Sequence, residues 1–194
     1  MLHDTTDPTP SRRHCEFNIR KAYPIEFSPL GELIADVYEG LPGMPGVVEQ
    51  RDYYAVLRDV ATRARNPANS VFVAARKSGE LMGSVDFIND MKEYGARGAA
   101  STISNAAGIR YLAVKSEFRG NGIGRSLTAY CVSRARELGK SAVILHTTGP
   151  MATAWAMYIR MGFQRHPEID FQQGNLEVFG FRLALDSARE DLVR

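Results

Sequence analysis

Six consecutive residues near the middle of the chain have the composition of an anion-binding loop. They read Arg119-Gly120-Asn121-Gly122-Ile123-Gly124 and lie between the apolar stretch 109–114 and a predicted amphipathic helix. Alternating glycines let the backbone pass close to an anion with its N–H groups pointing inward, and the helix adds the positive end of its dipole. The run is therefore predicted to bind a pyrophosphate.

The glycine spacing excludes two common nucleotide-binding motifs. Gly-x-Gly-x-x-Gly requires a third glycine where this chain has Arg125 or Leu127, and a Walker loop requires lysine after Gly124. The run instead matches Arg-x-x-Gly-x-Gly, from Arg119 through Gly122 to Gly124. It resembles the acyl-CoA signature of the GNAT superfamily of N-acetyltransferases. The alternative interpretation is a glycine-rich turn that caps a helix.

A second segment carries the same resemblance. Ala154, followed by Tyr158 and then by Gly162-Phe163, is similar to the closing helix and turn of that superfamily. The two motifs occur in the family's order, are separated by one predicted strand and together cover residues 108–163. The residues before them match the family only in the order of their elements.

Hydrophobic periodicity predicts the elements around these motifs. Strands are predicted at 17–20, 70–76, 81–88, 109–114, 141–146, 163–171 and 176–185. Helices are predicted at 29–41, 53–64, 123–138 and 151–161, and residues 89–107 are predicted to be a loop. This order indicates an α/β protein with a single mixed, mostly antiparallel sheet and helices on both faces, similar to the GNAT fold. The resemblance implies a splay between the fourth and fifth strands.

Composition limits the class of protein. The chain has 194 residues, of which 44% are hydrophobic, and this is enough for one domain with a substantial core. Its net charge of +2 gives no reason to expect a nucleic-acid or membrane partner, and no apolar run is long enough to cross a bilayer. Two cysteines, Cys15 and Cys131, and four histidines indicate neither a disulfide framework nor a metal site. We expect a flexible leader at 1–15, a single acyltransferase domain at 16–194, and a cytoplasmic location.

The resemblance implies where the co-substrate acetyl-CoA would bind. Its pantetheine arm would lie between the strands 109–114 and 141–146, which splay apart in this family and leave backbone groups free for the two pantetheine amides. Its pyrophosphate would lie on the glycine-rich loop. The implied cofactor-binding residues are Leu112, Ala113, Val114, Arg119, Gly120, Asn121, Gly122, Ile123, Gly124, Arg125, Ala154 and Tyr158.

The resemblance also implies the reaction, in which a neutral amine attacks the thioester directly in a ternary complex. Tyr158 is the implied general acid for the leaving thiolate. A phenol ordinarily has a pKa of about 10 and a thiol about 8.5, so complete proton transfer would be uphill by roughly 2 kcal/mol. A hydrogen bond to the sulfur as charge develops is the better description. The alternative for Tyr158 is a tyrosine that packs in the core.

The motifs do not identify a general base. Many relatives carry a glutamate where this chain has Gly108, and an asparagine where it has Met151. His146, at the end of a predicted strand, is the preferred candidate because imidazole has a suitable intrinsic pKa, and a structural role is its alternative. The other candidates are Asp86, Glu168 and Asp170.

The sequence thus predicts an acetyl-CoA-dependent N-acetyltransferase that acts on a primary amine of a small molecule or of a protein. We expect a homodimer, and neither a metal nor a nucleic-acid or membrane partner. Residues 89–107 and the turn 172–175 are expected to flank the acceptor. The missing glutamate and asparagine leave an alternative of another class, a catalytically inactive acyl-CoA-binding sensor or interaction module.

Overall fold

Eight segments of the chain form strands in the computed structural model, which describes residues 16–185. They are β1 (Asn18–Lys21), β2 (Asn69–Ala75), β3 (Leu81–Ile88), β4 (Ala106–Val114), β5 (Ala142–Thr148), β6 (Gln164–Arg165), β7 (Phe171–Gln173) and β8 (Leu176–Ala184). The predicted leader at 1–15 lies outside the described residues.

Five α-helices connect or cover these strands in the described part of the chain. They are α1 (Phe27–Glu39), α2 (Arg51–Arg58), α3 (Val60–Arg65), α4 (Ile123–Glu137) and α5 (Ala152–Arg160). Between residues 16 and 185, no helix is long and apolar enough to cross a membrane.

The strands form a single sheet in the order β1-β2-β3-β4-β5-β8-β6, and β7 pairs with β8. Every pair is antiparallel except β4 and β5, which run parallel with Ala106 opposite Ala142 and Ile109 opposite Leu145. Beyond these residues β4 and β5 separate. The predicted mixed, mostly antiparallel sheet with a splay between its fourth and fifth strands is therefore confirmed.

Helices cover both faces of the sheet, as predicted. On one face α4 and α5 pack against side chains such as Phe72, Val143 and Phe181. On the other face α1, α2 and α3 bury a second cluster that includes Ile34 and Leu57. Because removal of apolar surface from water is the main favourable term in folding, these two layers fix the sheet between them.

The predicted helix at 53–64 is wrong in one respect, because it breaks at Asp59 into α2 and α3. The Asp59 carboxylate accepts a hydrogen bond from the Thr62 N–H and so caps α3. The end of α2 also packs closely on α1, where a Cβ at Gly31 would clash with the Arg58 carbonyl. The contact with α1 therefore breaks the helix at Asp59, although the apolar residues of 53–64 follow a continuous helical period.

Two other predicted elements differ from the structure. The predicted loop at 89–107 contains two 3₁₀ turns, at Met91–Glu93 and Ala99–Thr102, and ends where β4 begins at Ala106. The predicted strand at 163–171 is two short strands, β6 and β7, separated by a 3₁₀ turn at Pro167–Ile169. Proline lacks the N–H that a strand ladder requires, and it begins this turn.

Candidate functional site

Strand β4 contains a bulge next to the splay. Its register with β3 shifts, so that Tyr111 and Leu112 together lie opposite the single residue Val85. Tyr111 has a φ of 52°, a left-handed conformation that is strained for a residue with a side chain. Bulges of this kind turn side chains toward a different face of the sheet.

The bulge places two neighbouring residues of β4 on the same face of the sheet. Arg110 and Tyr111 both lie on the face of α1 and α2, where the Arg110 guanidinium stacks on the Tyr111 ring, with Cζ 4.4 Å from the ring centroid. Leu112 and Val114 lie on the opposite face and pack against the cluster under α4 and α5. The strand thus presents a polar side chain to one face and an apolar wall to the other.

A cleft of about 770 Å³ opens where β4 and β5 separate. Its volume is typical of a site for a cofactor-sized ligand. The predicted cofactor-binding residues that line it are Leu112, Val114, Arg119, Gly120, Gly122, Ile123, Gly124, Arg125, Ala154 and Tyr158.

Two of the predicted cofactor-binding residues do not line the cleft. Ala113 is buried on the other face of β4. Asn121 donates hydrogen bonds from Nδ2 to the carbonyls of Phe118 and Arg119, at 3.1 and 3.3 Å. Asn121 therefore shapes the glycine-rich loop from within the loop itself.

The glycine-rich loop presents a row of unpaired backbone amides. Gly120 and Gly122 have φ of 79° and 78°, and α4 begins at Ile123 directly after them. Among the described residues, no backbone carbonyl accepts a hydrogen bond from the N–H groups of residues 120–125. Positive φ explains why glycine occupies both positions, and free amides at a helix N-terminus fit a bound anion.

Arginines surround this end of the cleft. Arg119, Arg125 and Arg160 all line it and are exposed. The Arg119 Nε donates to the Val114 carbonyl at 3.3 Å, which holds that side chain across the end of β4. Sequence reasoning missed Arg160, which ends α5 after Tyr158 and reaches the cleft only because α5 packs beside the loop.

Tyr158 lies at the centre of the cleft wall and is buried against Phe163, with their ring centroids 5.7 Å apart. Its hydroxyl makes no hydrogen bond to any group within residues 16–185. Burial raises the pKa of Tyr158 well above its ordinary value. The phenol therefore stays protonated and has a hydrogen bond to donate into the cleft.

His146 also lines the cleft, but both of its ring nitrogens have partners. Nε2 lies 2.9 Å from the Ile169 carbonyl, which can only accept, so Nε2 carries the proton. Nδ1 then accepts from the Tyr94 hydroxyl at 3.0 Å. Burial lowers the pKa of His146 below its usual 6.5, although the hydrogen bond to Ile169 opposes that shift. The imidazole is therefore neutral at pH 7.

The other predicted bases do not line the cleft. Asp86 is fully buried, and its Oδ2 atom accepts from the Arg63 Nε at 2.9 Å. Asp170 forms an ion pair with Arg165 at 2.6 Å, and Glu168 is exposed. Buried carboxylates that are already paired with arginine serve the fold rather than proton transfer.

A smaller recess of about 70 Å³ adjoins the cleft on the face of α1 and α2. The two cavities share Tyr38, Ile109, Arg110, Tyr111, His146 and Met151 as lining residues. The segments expected to flank the acceptor contribute Tyr94, Ala96 and Gln173 to the recess. In the described part of the chain, no group of three or more His, Cys, Asp or Glu side chains could hold a metal ion.

Comparison with known families agrees with this geometry. The model of the acetyltransferase (GNAT) family matches residues 34–163, more than half of the chain. Among proteins of curated function, no relative matches this sequence.

Solved structures share the fold at low sequence identity. A GNAT-family acetyltransferase from Staphylococcus aureus superposes with a TM-score of 0.66 at 16% identity, covering 88% of this chain and 100% of that one. The PaiA N-acetyltransferase of Thermoplasma acidophilum, solved in complex with coenzyme A, gives 0.64 at 16% identity and covers 85% and 98%. The YncA acetyltransferase of Salmonella typhimurium, solved with acetyl-CoA, gives 0.59 at 16% identity and covers 88% and 95%.

Proposed function

This chain belongs to the GNAT acetyltransferase family, and we propose that it transfers the acetyl group of acetyl-CoA to a primary amine in a ternary complex. The observation that carries the proposal is a cleft that joins the free amides of residues 120–125 to the Tyr158 hydroxyl and shares six lining residues with the recess. The loop provides an anion site, and the recess provides room for an acceptor on the opposite face of the sheet.

The residues present fit acetyl-CoA as the acyl donor. The pyrophosphate is bound by the amides of 120–125, and Arg119 and Arg125 add charge-assisted hydrogen bonds. The pantetheine amides pair with the edge of β4 that faces β5, because β5 is paired with β4 only as far as Ile109. When bound, the donor would supply an activated acyl carbon, to which the amine would add before the bond from carbon to sulfur breaks and the thiolate leaves.

Tyr158 acts on the leaving sulfur. Its hydroxyl has no competing partner among the described residues, and burial keeps it protonated by raising its pKa. It donates a hydrogen bond that strengthens as negative charge develops on the thiolate. Such a bond is worth most in a site from which water is excluded.

His146 takes the amine proton through Tyr94. The Tyr94 hydroxyl receives the proton as it passes its own to His146 Nδ1, across the 3.0 Å hydrogen bond between them. The imidazolium that results keeps its Nε2–H bond to the Ile169 carbonyl. This relay provides a base although Gly108 has no side chain to serve as one.

Two measurements test the proposal. Calorimetry should detect acetyl-CoA binding to the full chain, and release of free thiol should require both acetyl-CoA and an amine from a chemically varied panel. Absence of acetyl-CoA binding would overturn the proposed function. Binding without transfer to any amine would instead favour the sensor alternative.

A further inference from the structure

Among residues 16–185, no acidic side chain lines the cleft or the recess. Because His146 is neutral at pH 7, Arg110 is the one charged residue among those that line the recess. An acceptor whose only charge is positive would meet no opposite charge at this site.

Arg110 also lacks an acidic partner of its own. Its Nη1 donates to the Tyr94 carbonyl at 2.7 Å, and within residues 16–185 no carboxylate lies within ion-pair distance of its guanidinium. Asp86 is opposite Arg110 in the register of β3 and β4, but its carboxylate is paired with Arg63. Arg63 thus holds that carboxylate, and the positive charge of Arg110 beside the recess has no carboxylate partner among the described residues.

A buried hydroxyl also lines the recess, together with Arg110. Thr148 is 4% exposed and lines the recess, and its Oγ1 atom has no hydrogen-bond partner among the described residues. Residues two apart on a strand share a face, so Thr148 lies on the same face of β5 as His146. A buried hydroxyl without a partner costs free energy that a bound ligand recovers.

These observations together define a class of acceptor. We propose that, in the reaction proposed above, the acceptor is a small primary amine that carries a carboxylate, and that Arg110 binds this carboxylate with help from the Thr148 hydroxyl. The recess of about 70 Å³ holds a carboxylate and a few carbon atoms, since about 10–15 Å³ of such volume is enough for one water molecule. Tyr38, Met44 and Leu176 supply an apolar wall for the rest of the molecule.

Matched acceptors test the assignment. With acetyl-CoA as donor, L-methionine and L-phenylalanine are compared with their carboxamides and with the corresponding amines that lack the carboxyl group. In the native protein, kcat/KM should be at least about 30-fold higher for the carboxylates, the ratio expected when a buried charge pair is made rather than broken.

Variants at position 110 separate the carboxylate interaction from general damage. Arg110→Met should lower kcat/KM by about 30-fold or more for the carboxylates and by less than about 3-fold for the carboxamides. Arg110→Lys should restore part of the loss because it restores the charge. Arg136→Met, at an exposed position of α4, is the matched control and should leave kcat/KM unchanged for both the carboxylates and the carboxamides.

Two outcomes would overturn the assignment: equal kcat/KM for carboxylates and carboxamides, or an equal loss for both in Arg110→Met. If Arg110→Met does not fold, saturation-transfer NMR on the native protein with coenzyme A gives a direct comparison, and stronger signals from the carboxamides also overturn it. Different results would overturn the proposed function, namely no binding of acetyl-CoA or no transfer of the acetyl group to any amine. In that case the NMR comparison still decides whether the protein prefers a carboxylate to a carboxamide.

Discussion

The ring of Tyr94 lies directly on Gly108, so that a Cβ atom at position 108 would come within 2.5 Å of the Tyr94 Cε2 atom. The resemblance to the family implies a glutamate at this position in many relatives. The ring thus fills the space of a side chain at 108, and its hydroxyl is hydrogen-bonded to His146. The packing of Tyr94 on Gly108 therefore explains why position 108 is a glycine. The same tyrosine forms, with His146, the pair that we propose as the base in place of a glutamate.

This contact predicts a stability effect at position 108. Gly108→Ala should lower the free energy of unfolding by about 1–3 kcal/mol, because the added methyl group displaces a buried ring in a close-packed region. Urea denaturation measures it. Gly149→Ala is the matched control, since a Cβ at Gly149 would meet nothing within 4 Å. Equal effects of the two substitutions would contradict the packing argument.

A second prediction concerns the glycine-rich loop. Gly122→Ala should weaken coenzyme A binding by about 5- to 30-fold, because the loop of the free protein leaves its φ of 78° and must recover that conformation on binding, at a cost of about 1–2 kcal/mol. Calorimetry with coenzyme A gives the affinity. Gly139→Ala carries similar strain at a φ of 65° after the end of α4, and it should lower stability while leaving affinity unchanged. A loss of affinity in both variants would show that strain alone is responsible.

The third prediction concerns Tyr158. Tyr158→Phe should lower kcat by about 10²- to 10⁴-fold, the range associated with a positioned proton donor. Acetyl-CoA affinity and the unfolding midpoint should change little, because the lost hydroxyl has no partner among the described residues. Tyr130→Phe, a tyrosine of α4 whose ring packs on Phe72, is the control and should retain activity. A Tyr158→Phe enzyme with native kcat would assign the tyrosine to packing alone.

A fourth prediction concerns the pH dependence of stability. Because burial lowers the folded-state pKa of His146 below 6.5, the unfolded chain binds a proton at this site more readily than the folded protein does. Above pH 6.5 the site has no effect, and as pH falls below 6.5 toward the folded-state pKa the native protein loses stability. His146→Gln should remove this part of the loss in urea titrations between pH 7.5 and 5.5. An unchanged profile in His146→Gln would refute the assignment.

Much of the donor site follows from local sequence. Positive φ at Gly120 and Gly122 and a helix that starts at Ile123 are properties of a short segment, so the spacing of glycines predicted them directly. The single mixed sheet and the covering helices followed from periodicity, and the splay followed from the resemblance carried by the two motifs. Residues next to each other in the chain determine the glycine-rich loop and the start of the helix, and so these two features can be read without a three-dimensional structure.

The acceptor side depended on the tertiary structure. Tyr111 lies beside Arg110 at the recess only because the bulge shifts the strand alternation after Arg110, and a pattern of apolar residues does not show a bulge. Tyr94 comes from a segment predicted as a loop, and it meets both Gly108 and His146 after the sheet has assembled. Contacts between segments distant in the chain decide which polar groups are paired and which remain free. The sequence by itself therefore determined the anion-binding loop and the strand–loop–helix unit around it, whereas only the tertiary structure decided the charge and shape of the acceptor recess.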